Sequence, residues 1–382
     1  MATFGEQYGE ALALDPGDRQ MVRNPAIGAV QGDAQPKVFF FAPGRGSAHA
    51  NRATEIAGQV ERLNSNASIT FVSYGTGAEV LKSRGKNVID LGIREAGTMW
   101  TILVAAERLL RDARPDLVVS CEEFVVLPVA KMTGIPAIFI GDWFTNPRSP
   151  TMQTLALADE IIFTEDSGIF EEPLYVKGKV FYSGPVVRKF KYTGRDQERA
   201  RRELQLPVDA TVVSVLPGEW ATEETQPICH VLGPAFDGLR VPDKVMIWIA
   251  GRDYDAVQKR FGERADIVIT QNESKLDQIM VASDFAITKG DRTTVKELAA
   301  LGIPSISISH GRRPIDDTYV RRIGSNRFLE ASLLSPAELL ACMMDSLARA
   351  EELRRTPPSS SLCSGQGLAH AAKRLAEHIT SI

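Results

Sequence analysis

The run Lys37-Val38-Phe39-Phe40-Phe41-Ala42 carries apolar side chains at consecutive positions, so a strand here must be covered on both faces. A sheet with one wet face does not accept it; a parallel sheet between two helical layers does. The pattern then recurs. Strand-like runs at 69–73, 87–91, 116–120 and 137–141 alternate with helical periodicity at 50–63, 77–83, 95–112 and 125–132. Such alternation predicts a doubly wound, Rossmann-like α/β domain with a parallel sheet.

After Gly184-Pro185 the alternation starts afresh. A polar helix at 195–204 precedes strands at 211–216, 244–250, 266–270, 286–288 and 305–309, with a closing helix at 336–354. The chain therefore reads as a partly ordered leader, 1–36, a first domain, 37–185, a second α/β domain, 186–355, and a tail, 356–382. Within the tail, Thr356-Pro357-Pro358-Ser359-Ser360-Ser361 is a linker by composition. The helix after it carries Leu368, Ala372, Leu375 and Ile379 on one face and needs a surface to dock on, for which the first domain serves. Two open sheets then face each other across a cleft, and ligands favour the carboxyl ends of such strands.

The bulk numbers exclude several function classes. A formal charge of −4 offers no basic field for nucleic acid or an anionic membrane. No apolar run approaches the ~20 residues that span a bilayer. The N-terminus is acidic and polar rather than signal-like, which points to the cytoplasm. Cys121, Cys229, Cys342 and Cys363 are too scattered for a metal spacing or a disulfide framework.

Chemistry concentrates at 288–297. A β-branched strand end is followed by the turn Lys289-Gly290-Asp291-Arg292, and Thr293 and Thr294 then open a helix. Helix-start N–H groups, two hydroxyls and the positive end of a dipole suit a phosphate. Glu297, one turn on, is placed to hold the two hydroxyls of a ribose. Read for structure alone, the same residues are an ordinary βαβ unit with a Thr cap and a first-turn acid.

The run Thr288-Lys289-Gly290-Asp291-Arg292-Thr293-Thr294-Val295-Lys296-Glu297 resembles the T-K-x-G-x-x-T-x-x-E donor motif of GT-B glycosyltransferases, such as the peptidoglycan N-acetylglucosaminyltransferases and the plant galactolipid synthases. The glycine stands one position early, at Gly290, and an acid, Asp291, occupies the usual glycine position. An acid there repels a diphosphate unless it points away. The resemblance implies two Rossmann-like domains, a nucleotide-diphosphate sugar held by the second domain, and a terminal helix crossing back to the first. It further implies that Gly218, in Pro217-Gly218, meets the donor phosphates. Gly251 would line the base pocket, and His310, Arg312, Asp316 and Asp317 would grip sugar or diphosphate.

In the first domain, Gly44-Arg45-Gly46-Ser47-Ala48-His49 follows the first strand. His49 stands where a dinucleotide fingerprint needs glycine, and the second strand ends without an acid, so NAD binding is not expected. Gly44, Gly46 and Ser47 allow close approach of a ligand, and His49 is a candidate donor or base. The loop is similar to the acceptor-side glycine loop of the same families. Glu122 and Asp142 end the fourth and fifth strands as further candidate bases or hydroxyl binders, or as solvated loop acids. The resemblance favours Asp142 slightly.

The expected activity is transfer of a sugar, UDP-linked by resemblance, to a hydroxyl acceptor. It proceeds with inversion, without metal or other cofactor, and with His49 or Asp142 as base. Lys289 or Arg312 would stabilise the leaving diphosphate. Two rivals stay open: a UDP-sugar 2-epimerase or nucleotide-sugar hydrolase, and a non-catalytic nucleotide-sugar-binding subunit. No strongly amphipathic patch favours a lipid acceptor, and nothing in the residues sets the oligomeric state.

Overall fold

Successive residues of the first strand, β1 (Lys37–Phe41), feed opposite faces of a sheet. Val38 and Phe40 enter one apolar cluster, while Phe39 and Phe41 enter another. That is how a chain uses consecutive bulky residues without exposing any. The computed structural model describes residues 35–44, 48–94, 98–142, 150–216, 222–271, 275–311, 314–355 and 366–382. All but the last two residues of the expected leader lie outside them, as does the linker.

Around β1 stand β2 (Ser68–Ser73), β3 (Val88–Asp90), β4 (Leu117–Cys121), β5 (Ala137–Gly141), β6 (Glu160–Phe163) and β7 (Val180–Tyr182). They form a seven-stranded sheet in the order β3-β2-β1-β4-β5-β6-β7, with every pairing parallel. A second sheet contains β8 (Thr211–Leu216), β9 (Lys244–Ile249), β10 (Ile267–Thr270), β11 (Phe285–Thr288), β12 (Ser305–Ser309) and β13 (Asn326–Glu330). Its order is β10-β9-β8-β11-β12-β13, again parallel. The strand order reverses between β1 and β4 and between β8 and β11. The crevices beside these switch points are where a doubly wound sheet takes its ligands.

Three strands escape the sequence reading: β6, β7 and β13. All lie at or next to a sheet edge, and β6 and β7 have only four and three residues. β7 is half-buried, and β13 (NRFLE) is mostly polar, so neither shows the apolar run that marks β1.

The terminal helix Gln366–Thr380 docks on the first domain. Leu368, Ala371, Ala372, Leu375 and Ile379 join the cluster that holds Val38 and Phe40, against the helix Ala48–Leu63. Glu160 clamps its outer side, accepting from Arg374 Nε and Nη2 at 2.7 Å each and lying 2.9 Å from His378 Nε2. Leu375 is fully buried. Leu375→Ala should therefore lower stability by about 2–5 kcal/mol, read from the shift of the unfolding midpoint in denaturant. A shift near zero would mean that the helix is not part of this core.

The helix Met99–Ala113 buries Ile102, Ala106 and Leu110 yet exposes Met99, Trp100 and Val104. The sequence reading does not single out these outward apolar side chains. The helix is apolar on two sides, and a one-dimensional reading assigns both to the core. Among the described residues no helix is long and apolar enough to cross a membrane.

Candidate active site

The turn after β11 delivers the helix Arg292–Ala300 to the cleft. Gly290 sits at φ +80°, and its N–H donates to Thr288 Oγ1 at 3.1 Å, a tight left-handed corner that suits glycine. The helix starts one residue earlier than the sequence suggests, because Asp291 rather than a threonine is its cap. Asp291 Oδ1 accepts from Thr294 N–H at 2.9 Å. The expected open amino end is thus partly filled by the protein's own carboxylate. Asp291 does not point away; it lines the cavity.

That cavity measures about 620 Å³ and runs along the helix past Thr293, Thr294 and Glu297. Arg84, Arg188, Lys191 and Lys275 bring positive charge to its walls. Glu297 is buried, and its two oxygens are already engaged: Arg188 Nε donates to Oε1 at 2.7 Å and Nη2 to Oε2 at 3.1 Å. Arg188 also pairs with Asp277 at 2.5 Å. Burial raises the Glu297 carboxyl above its ordinary value against the opposing pull of Arg188.

The opposite edge of the same helix reaches the first domain. Arg292 Nη1 donates to the Asp142 carbonyl at 2.7 Å, and Nη2 lies 3.1 Å from Asp142 Oδ1. Lys296 Nζ lies 3.1 Å from Asp142 Oδ2 and 2.6 Å from Glu165 Oε1, and Tyr319 donates to Glu165 Oε2 at 2.9 Å. Arg52 Nη2 completes the set at 2.8 Å from Asp142 Oδ2. Beside this lock, Phe170 stacks on Tyr319 with centroids 6.2 Å apart. Burial alone would raise the Asp142 carboxyl, but Arg52, Lys296 and Arg292 hold it well below the usual range. Burial prevails at Glu165, whose carboxyl is raised although Lys296 opposes it.

Asp142 is thus a poor general base: three cations surround it, and it stays ionised in a closed, 2 % exposed position. This changes the part the sequence reading favoured for it. His49 fits the task better. Its Nδ1 lies 3.0 Å from Glu122 Oε2, off the line of a well-aligned hydrogen bond, and its side chain is 30 % exposed. Glu122 is fixed in turn by Arg52 Nη1 at 2.7 Å and by the Asp142 N–H at 3.1 Å, both on Oε1. Burial opposes its charge, but Arg52 holds the Glu122 carboxyl below its ordinary value. The Glu122 backbone is left-handed, with φ +67° at the end of β4. A non-glycine residue held so is strained, and such strain gathers at functional sites.

No protein-family model matches the chain. It is 25 % identical over 282 residues to the UDP-N-acetylglucosamine--N-acetylmuramyl-(pentapeptide) pyrophosphoryl-undecaprenol N-acetylglucosamine transferase of Acetivibrio thermocellus, covering 68 % of this chain and 74 % of the relative. The structure superposes on that of Acinetobacter baumannii MurG with a TM-score of 0.62 at 16 % identity, covering 91 % of this chain and 99 % of that one. The chain is a glycosyltransferase of the GT-B fold. A TM-score of 0.65 at 12 % identity, over 91 % of this chain and 100 % of the other, relates it also to the UDP-GlcNAc 2-epimerase of Neisseria meningitidis, a likeness of fold.

Other expected residues of the transferase fare unevenly. A Cβ at Gly44 would lie 2.2 Å from the Tyr74 ring, so its small size lets that ring pack against it. Asp316 Oδ1 accepts from Arg292 Nε at 2.7 Å, which draws it toward the lock. Among the described residues, Asp317 Oδ1 and His310 Nε2 are buried without a hydrogen-bond partner. Gly251 opens a short 3₁₀ turn at φ +53°, and Lys289 is half-buried before Gly290. Gly46, Ser47, Gly218 and Arg312 lie outside the described residues. Among the described residues no group of three or more His, Cys, Asp and Glu side chains is arranged to hold a metal.

The sequence reading missed Arg188, Asn51, Glu165 and Tyr319, and gave Arg292 and Lys296 no task. A signal for the last pair was present. Two basic residues at i and i+4 on a helix whose neighbours Val295, Leu298 and Ala299 are core residues must reach a buried partner or bend out to water.

Proposed function

We propose that this transferase moves a sugar from a UDP-linked donor to an acceptor hydroxyl, with inversion and without a metal ion. One observation carries the reading. Glu297 lines a cavity large enough for a nucleotide, and two N–H donors from Arg188 occupy its carboxylate as the two hydroxyls of a ribose would. In this reading the ribose displaces Arg188, which then turns to the phosphates together with Arg84, Lys191 and Lys275. Those cations offset the repulsion from Asp291 and take over from the capped helix end. Asp317 and His310 supply unpaired groups for the sugar. A UDP donor agrees with the name of the Acetivibrio relative.

The acceptor oxygen attacks the anomeric carbon from the face opposite UDP, and its proton passes to His49, oriented by Glu122. The bond to the leaving oxygen breaks with its electron pair, and the cavity cations stabilise the charge that appears there.

The test is thermal stabilisation by a panel of nucleotides and nucleotide sugars. UDP compounds should raise the melting point, and Glu297→Ala should weaken UDP binding roughly 10²-fold, about 3 kcal/mol for two hydrogen bonds to a charged acceptor. An unchanged response in the variant would remove Glu297 from the site. The epimerase or hydrolase reading, which the fold permits, requires turnover of the donor with no acceptor present; a stable UDP-sugar under those conditions excludes it.

A further inference from the structure

Arg188 occupies the place that the proposed function gives to a pentose, and what it takes to move it decides which ligands the cavity admits. It lies in the stretch 183–193, between β7 and the 3₁₀ turn Gly194–Asp196, where the chain forms neither helix nor strand. It borders the nucleotide cavity, a narrow pocket of about 60 Å³ beside Lys296, and a further cavity of about 620 Å³ lined also by Phe190 and Leu301. A side chain on irregular backbone, with open space on several sides, can change partners without disturbing a core.

Its present partners are anionic. Glu297 accepts from Nε and Nη2 at 2.7 and 3.1 Å, and Asp277 lies 2.5 Å from Nη1. A ribose diol is a poor substitute at Glu297. Two neutral hydroxyls would replace two charge-assisted bonds, which are roughly twice as strong, and a buried carboxylate would lose its counterion. A nucleoside alone therefore leaves Arg188 where it is. A diphosphate changes the exchange, because it brings anionic oxygens into the same cavity, and the planar fork of a guanidinium binds these as well as it binds a carboxylate. Asp277 lines that cavity too and gives Nη1 a carboxylate to pivot on.

We propose that Arg188 is a specificity-determining residue that opens the pentose site only to ligands carrying a diphosphate. Free nucleosides are turned away not by shape but because nothing in them gives the guanidinium a new partner. The inference rests on the UDP reading of the cavity and goes beyond it: diphosphate and pentose become cooperative ligands, each favouring the binding of the other.

Calorimetric titration of the full chain with uridine, with and without saturating inorganic pyrophosphate, tests this. Working at about pH 8 favours the ionised form of Glu297, which burial opposes. Pyrophosphate should tighten uridine roughly tenfold in the wild type, the factor expected if Arg188 leaves Glu297 free about one-tenth of the time. Arg188→Ala should bind uridine alone about tenfold more tightly than the wild type does, bind UDP more weakly, and gain nothing further from pyrophosphate. Arg188→Met, which keeps the stem and removes the donors, gives a second reading should the alanine variant fold poorly. A residue that only attracts phosphate would leave uridine unchanged when removed, and a structural one would weaken both ligands; either result overturns the inference. So does a wild type whose uridine binding ignores pyrophosphate or is absent in both conditions, or coupling that persists in the variants. All of these leave the UDP reading to stand on the Glu297→Ala titration, whereas a wild type that binds no UDP overturns both.

Discussion

His49→Gln should lower kcat by about 10²–10⁴-fold while the affinity for UDP stays within twofold of wild type. The expectation follows from how the imidazole is held. Glu122 faces Nδ1 at 3.0 Å, leaving Nε2 as the ring nitrogen to receive the acceptor proton. Protonation creates an imidazolium beside a carboxylate that Arg52 keeps ionised despite burial. A glutamine of similar reach keeps polarity and loses the capacity to take a proton. Steady-state rates with saturating donor, alongside UDP titration, separate the two effects. An undiminished kcat would move the base elsewhere. A parallel loss of UDP affinity would make His49 a binding residue.

Asp142→Asn should destabilise the fold by about 3–5 kcal/mol, the usual effect of removing one partner from a buried ionic cluster. Arg52, Arg292 and Lys296 would then share a neutral amide in a position 2 % exposed. The pH dependence has a definite sign. Arg52, Lys296 and Arg292 overcome burial and hold the Asp142 carboxyl well below its ordinary value. Its contribution is therefore complete above the unfolded value of about 4 and is lost progressively as pH falls below that toward the folded value. Equilibrium unfolding in denaturant at neutral pH measures the first effect, and the same experiment in acid measures the second. A change under about 1 kcal/mol, combined with a collapse of kcat, would restore Asp142 as the base and overturn the lock.

The central strands and the helix that follows Gly290 were legible because their signals are local. β1 needs burial on both faces, and the turn at Gly290 followed by polar helix positions marks a strand-to-helix corner at a sheet's carboxyl edge. The identity of the helix cap was also within reach. Aspartate is among the strongest N-cap residues, and Asp291 directly precedes the helical periodicity. The motif that this stretch resembles has glycine there, which supplies no side-chain cap, whereas Asp291 does. The lock was not legible. Asp142 meets Arg292 and Lys296 across 150 and 154 positions of sequence, and nothing in the local pattern of either segment specifies the other. The same holds for Arg188 on Glu297, where a residue 109 positions away in sequence covers an acid that the motif alone presents as open.

The account depends on a pentose taking the place that Arg188 now holds on Glu297. A crystal structure of the protein with UDP reads this directly. The account predicts ribose hydroxyls within hydrogen-bond distance of both Glu297 oxygens, with Arg188 turned toward the phosphates. UDP bound elsewhere, with the Arg188–Glu297 pair intact, would contradict it.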